Sequence, residues 1–409
     1  MKTRSLVSIS LALGFVAVGC SSNGAGSGVN LAPPTQSTAN ARIIGPNVAQ
    51  GGSVNWSELG FIPSGGRFNP HERILSRRSA HRLKKRWSFF TGCSGSICGG
   101  SGPTVSKGVV YVGGYDGNVY ALNAVTGAKV WSFLTGGVVF STPAVSNGAV
   151  YVGSGDGYVY ALNASTGAKL WSFAANCPPF VCGVYSSPAV VSGVVYVGSS
   201  NANLYALAAA TGRELWSFAA HLNVDSSPAV ANGVVYAGSD DGNLYALKAA
   251  TGAKLWSFFT TGDVVSAPAV VKGLVYFGSS NTVVYALNAA TGARVWSYAT
   301  QYSVNSAPAV ANGVVYAGSA DGNVYALNAA TGAKLWSFFT SFDRAFSSPA
   351  VANGVVYDGS DDHNVYALNA ATGVKLWSYT TANFAEVPTV VNGMVYIGSK
   401  DGNVYAFGL

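Results

Sequence analysis

The sequence predicts an all-β fold, an eight-bladed β-propeller of four-stranded antiparallel blades, and three observations carry that reading. A unit of about 40 residues recurs from residue 87 to the end of the chain. Each copy holds four short runs in which apolar and polar residues alternate, with turn dipeptides between them. The phase of the repeat is offset, because a Trp precedes the first repeat Pro and no Trp follows the last one.

The unit beginning at Ser227 reads SPAVANGVVYAGSDDGNLYALKAATGAKLWSFFT. Its strand signals are PAVANG, VVYAGS, NLYALKA and AKLWSFF, each with the period-two pattern of a strand. Asn232-Gly233, Asp241-Gly242 and Thr251-Gly252 mark the three hairpins, with Gly supplying positive φ. The repeat Pro falls at Pro103, Pro143, Pro188, Pro228, Pro268, Pro308, Pro349 and Pro388. The repeat Trp falls at Trp87, Trp131, Trp171, Trp216, Trp256, Trp296, Trp336 and Trp377, so eight copies predict eight blades. The last copy stops at YAFGL, before a fourth strand. Residues 86–90 are expected to supply it by pairing with residues 403–408, which closes the ring and removes two sheet edges. An open solenoid is the rival architecture.

Only 10% of the 409 residues are charged, while 51 are Gly and 12% are aromatic, a composition suited to short strands and tight turns. The mean hydropathy of +0.28 fits a dense β core. Past residue 20 no uninterrupted apolar run reaches the roughly eighteen residues that a spanning helix needs.

Residues 1–19 read as an export signal, with Lys2 and Arg4, an apolar run from Leu6 to Val18, and small residues before Cys20. The ending resembles a bacterial lipobox, with Cys20 as the lipidated first residue of the mature chain, although Ala17 stands where Leu is commoner. An ordinary secretory signal is the alternative. The expected location is outside the cytoplasm, lipid-anchored to the outer membrane or cell surface, periplasmic or extracellular.

Residues 20–85 read as a tether and basic linker, largely disordered, and residues 86–409 as the propeller. From Arg67 to Arg86 eight Lys or Arg accompany one acid, Glu72. Two readings stand for this segment: contact with anionic lipid head groups, or a solvated linker. Outside it basic and acidic residues are equal in number, so charge gives nucleic-acid binding by the main body no support.

The segment ALNAVTGAKVW at residues 121–131 recurs at 161–171, 206–216, 246–256, 286–296, 326–336 and 367–377. It is similar to the tryptophan-docking motif of the pyrroloquinoline-quinone (PQQ) type propeller family. The resemblance implies that the eight Trp residues tie neighbouring blades together, each burying a large ring and donating its indole N–H. Quinoprotein dehydrogenases of that fold carry PQQ, a calcium ion, a catalytic Asp and usually an adjacent Cys pair. None of these residues can be matched in this chain, so no cofactor and no metal is expected, with PQQ and calcium kept as an alternative.

The recurring Asp116, Asp156, Asp241, Asp321, Asp362 and Asp401 occupy one hairpin turn, with Asn201 and Asn281 in their place in two copies. A turn role accounts for them. The four His residues offer no catalytic triad by spacing, and His221 with Asp225 is the one pair to test.

The connections from each Trp strand to the next Pro strand vary, whereas strands and hairpins hardly do. Loops on a rigid scaffold are where recognition resides. The expected binding face therefore comprises Phe140, Phe180, Tyr185, His221, Asp225, Asp263, Tyr302, Phe342, Asp343, Arg344, Phe346, Phe384 and Glu386. Fold, anchor and blade count resemble the lipoproteins of the outer-membrane β-barrel assembly machinery. That resemblance implies a non-catalytic, monomeric envelope scaffold binding a protein or peptide partner. A redox enzyme and a glycan-binding or adhesion module are the alternatives. Two of these connections are lengthened and hold Cys93, Cys98, Cys177 and Cys182, for which export predicts local disulfides Cys93–Cys98 and Cys177–Cys182. A shared zinc site is the alternative there.

Overall fold

The computed structural model describes residues 54–95, 97–176, 183–341 and 347–409. Cys20, Cys177, Phe180, Cys182, Phe342, Asp343, Arg344 and Phe346 lie outside the described residues.

The chain forms eight antiparallel four-stranded blades, with the Pro-led strand innermost and the Trp strand outermost in each. Blade 4 is typical, with strands Ala229–Ala231, Val234–Gly238, Asn243–Lys248 and Lys254–Phe259. Its middle strands are almost wholly buried, since each blade packs both faces on neighbours. Asn232 and Gly233, at φ 51° and 77°, make the tight first turn.

The outer strand carries the inter-blade tie. Trp216 donates its indole N–H to Ala249 O of the next blade at 2.9 Å and lies against Gly252. That glycine is required twice over: its φ is +72°, and a Cβ would stand 2.7 Å from Trp216 Cε3. The other Trp ties are built alike. For Trp377 the acceptor is Leu83 O, because the third and outer strands of blade 8 come from opposite ends of the chain. The outer strand of blade 8 is Lys84–Phe90, paired antiparallel with Asn403–Gly408, with Trp87 opposite Ala406.

Residues 54–83 correct the expectation of a disordered linker. Each innermost strand turns an unpaired edge toward the axis, and an unpaired edge needs a partner. Residues 56–69 supply it by running once around the inside of the ring. Trp56 bridges Val105 of blade 1; Ser57, Pro63, Ser64, Gly66 and Arg67 offer their carbonyls to Val145, Val230, Val270, Val310 and Val351 at 2.7–3.0 Å. Phe68–Asn69 then pairs parallel with Val351–Ala352 as a fifth strand of blade 7. The pairing is made by backbone, so it leaves no periodic trace in side chains.

Buried charge locks this plug. Arg67 is 1% exposed and donates to Pro349 O, Leu59 O and Pro388 O at 2.8, 2.5 and 2.8 Å. It therefore does not belong to a surface basic patch. Burial pulls its guanidinium down to about 9, opposed by Asp358, which still leaves it cationic at neutral pH. Asp358, fully buried, stands where the other blades carry Val, Ala, Phe or Ile. Burial pushes its carboxyl well up, and no hydrogen bond of ordinary geometry satisfies its oxygens. Glu72, also buried, accepts the backbone N–H of Ile74, Leu75 and Gly393.

Candidate binding funnel on the loop face

Alternating strand directions give the ring two dissimilar ends. The Asn-Gly and Thr-Gly turns share one, the turn face. The Asp-Gly turns and the variable connections share the other, the loop face. The plug enters from the turn face, where the Asn392 side chain bonds Val54 and that of Asn55 bonds Lys107. It stops short of the loop face, where the axis opens as a funnel of about 340 Å³ with Leu59 among its lining.

One position of the variable connections supplies several residues of the funnel lining, and it can be found by comparing the copies. Blades 2 to 6 read Val-X-Ser before the repeat Pro: Val139-Phe140-Ser141, Val184-Tyr185-Ser186, Val224-Asp225-Ser226, Val264-Val265-Ser266 and Val304-Asn305-Ser306. The Val is fixed because it packs beneath the glycine ending the second strand; a Cβ at Gly238 would stand 2.4 Å from Val264 Cγ1. That glycine belongs to the preceding blade; the Ser is fixed because its Oγ accepts the N–H of the corresponding glycine in its own blade, as from Gly278 to Ser266 at 3.1 Å. X answers to neither constraint and differs in all five; blade 8 places Glu386 there and blade 1 Gly100.

Phe140, Val265, Asn305 and Glu386 line the funnel. Phe140 meets Tyr115 and Tyr185 edge-on at 4.5 and 5.4 Å, an aromatic wall over blades 1 to 3. Tyr115 donates its hydroxyl to Glu386 Oε1 at 2.9 Å. Burial pushes Glu386 up to about 7, with Asp361 adding to the rise and Tyr115 and Lys400 opposing it. Asn305 Oδ1 is buried with no hydrogen-bond partner. Behind the funnel floor, burial raises Glu58 to about 8, opposed by the backbone N–H of Val190.

The remaining predicted site residues disperse. Asp225 accepts from Ser200 at 2.6 Å, while the His221 N–H donates to Asp241, so the structure joins no His221–Asp225 pair. Asp263 and Tyr302 are exposed on the loop-face rim. Phe384 contacts His363 and lies under Lys400, whose Nζ is 5.2 Å from the ring centre. The hairpin acids are held in place: Asp241 accepts from Asn243 N and from Tyr245 Oη at 2.6 Å, and the other five repeat this. Cys93 and Cys98 form a disulfide across the short hairpin Cys93–Ser94 with Ile97–Cys98. Sequence reasoning missed Tyr115, Asn305, Asp358, Lys400 and the whole plug. Two signals were present: the single Asp in VVYDG where its siblings carry Val, Ala, Phe or Ile, and a ninth Trp, Trp56, outside the repeat.

The family model described as outer membrane protein assembly factor BamB matches residues 49–220 and 201–407. The chain belongs to that family. No curated protein matches the chain significantly. Among solved structures, BamB from Moraxella catarrhalis is 21% identical with a TM-score of 0.69, covering 80% of this chain and 100% of its own. A europium-containing methanol dehydrogenase is 16% identical with a TM-score of 0.75, over 87% of this chain and 98% of its own. The quinohemoprotein alcohol dehydrogenase ADHIIG from Pseudomonas putida HK5 is 18% identical with a TM-score of 0.73, over 87% of this chain and 80% of its own. At these identities the likenesses show the fold alone.

A quinone cofactor of such dehydrogenases can be tested against the residues present. The axis is filled by the chain's own residues 56–69. The funnel above them offers a tricarboxylate quinone two carboxylates, Glu386 and Asp361, and one base, Lys400. Among the described residues no three His, Cys, Asp or Glu cluster to hold a metal ion. The residues do not fit the group, and no step is derived through it.

Proposed function

We propose that the chain is a non-catalytic envelope scaffold that binds a protein or peptide partner at the funnel and rim of its loop face. The observation that supports this reading is the X position of the Val-X-Ser triplet. Between a fixed Val and a fixed Ser, the X residue differs in every complete triplet, and three of the five, Phe140, Val265 and Asn305, line the funnel. An aromatic wall beside a half-buried carboxylate is a combination suited to anchoring a partner's side chains. Membership of the BamB family agrees with a scaffold role. The lipid anchor at Cys20 and the pairing of Cys177 with Cys182 belong to the same proposal.

Photo-crosslinkers placed at Tyr185 and Asn305, with Asn312 on the turn face as control, test it in the intact envelope. Capture of one envelope protein from the loop-face positions alone is the expected result. Capture from Asn312 alone would overturn it, and a glycan-dependent product would replace the protein partner with a glycan.

A further inference from the structure

Equal numbers of acids and bases outside residues 67–86 conceal a separation by face. Among the described residues every exposed Lys and Arg except Lys400 lies on the turn face or at the adjoining start of an outer strand. Among the same residues every Asp and Glu side chain that reaches the surface, except Glu214, lies on the loop face. The repeat produces this, because its Lys or Arg follows the Thr-Gly turn and its Asp sits in the Asp-Gly turn. The strap 70–83 reinforces it. Arg77 packs on Gly354 and Ile74 on Gly393, two first-turn glycines of the turn face, and Arg73, Arg78 and Arg82 are exposed beside them.

The basic face is also apolar at its rim. Ile74 is 55% exposed, and Leu170, Leu255 and Leu335, each next to a rim Lys, are 52–53% exposed. Bases interleaved with exposed aliphatic side chains suit the head-group layer of a bilayer, where charge attracts and apolar groups insert. Val54, the first described residue, is itself bonded to the Asn392 turn of this face.

We infer that the turn face of the propeller lies on an anionic phospholipid surface and holds the acidic loop face and its funnel away from it. The inference rests on charge and exposure, independently of the funnel reading. Each base near an anionic surface adds attraction that salt screens within about 8 Å at physiological ionic strength.

The full chain carrying Cys20→Ser, which removes any acyl anchor, is floated with phosphatidylcholine vesicles with and without phosphatidylglycerol. Binding only to the anionic vesicles, lost at high salt, is expected. Reversing four exposed rim bases, Lys129→Glu, Lys169→Glu, Lys254→Glu and Lys334→Glu, leaves the plug and strap untouched and should lower partitioning by about tenfold or more. An environment-sensitive dye at Asn312 should respond to the vesicles, and the same dye at Ala320 on the loop face should not. Failure to bind anionic vesicles, binding indifferent to the four reversals, or a response at Ala320 would each overturn the inference. So would binding to heparin or nucleic acid in preference to the vesicles. Loss of partner crosslinking from Tyr185 leaves this result untouched, so the two readings fail separately.

Discussion

The two ends of the channel are made by the same repeat and end up opposite in character. Below the funnel, residues from outside the repeat fill the axis from the turn face, pair by backbone with six of the eight inner edges and bury Arg67, Glu72 and Asp358. At the loop face the axis is open, the wall residue changes from blade to blade, and the carboxylates reach solvent. The contrast teaches where a near-symmetric scaffold keeps its stability and where it keeps its individuality. Backbone pairing seals one end without regard to side chains, and the other is left free for them.

The largest expected effect falls on the seal. Arg67→Met removes donors from three buried carbonyls and the cation beside Asp358, and should cost about 3–5 kcal/mol in urea unfolding. Asp358→Val restores the apolar residue type of the other blades. The double variant Arg67→Met with Asp358→Val should therefore regain part of the loss, since an apolar pair often replaces a buried ionic one at little cost. A single variant as stable as the parent would make the two ends energetically alike and break the comparison.

A pH series addresses the same seal. Burial holds the Glu58 carboxyl at about 8, above its ordinary 4.5, so the folded chain binds more protons than the unfolded chain between those values. Stability should then fall as pH rises through that window, by on the order of a few kcal/mol for a group so well buried. Glu386, raised to about 7 and half open to the funnel, acts in the same direction over a narrower window with a smaller effect. Glu58→Gln should flatten the dependence of Tm on pH, while Glu386→Gln should alter it little. An unchanged slope in Glu58→Gln would place the titration elsewhere.

Two glycines of the turn face separate turn geometry from blade packing. Gly233 and Gly252 both have positive φ, yet a Cβ at Gly233 meets nothing within 4 Å and one at Gly252 meets the Trp216 ring at 2.7 Å. Gly233→Ala should cost about 1 kcal/mol and Gly252→Ala about 1–3 kcal/mol. Equal losses would mean that the Trp tie yields without cost.

The fold was legible because its causes are periodic. Pro, Asn-Gly, Thr-Gly and Trp each recur at fixed spacing, and the offset Trp87 revealed how Lys84–Phe90 closes the last blade. The plug was not legible, because Ser57, Pro63, Ser64 and Gly66 take part through their carbonyls and carry no pattern of their own. Several wall residues, Phe140, Tyr185, Asp225 and Glu386 among them, were found as loop variation, but Asn305 was not. Its meaning lies in the buried Oδ1, which only the three-dimensional arrangement exposes. Charge was hidden in a similar way: a correct balance in number concealed a separation in space.

The smallest expected effect lies at the loop face, in the Cys93–Cys98 bridge. It closes a ring of six residues, for which loop entropy allows about 2 kcal/mol at most. The hairpin it staples forms a two-stranded sheet of its own, outside the blades, so its opening disturbs no blade ladder. Exchanging both residues, Cys93→Ser with Cys98→Ser, should therefore shift the urea midpoint far less than Arg67→Met does. A partner that rests on the rim of the funnel would feel the change more than the fold does, through the lost stiffness of the loop beside Tyr115, against which Gly99 packs. Crosslinking yield from Tyr185 falling in the double variant while the unfolding midpoint holds would divide recognition from stability along the axis of the channel. A large loss of stability would show that the loop face too is part of the seal.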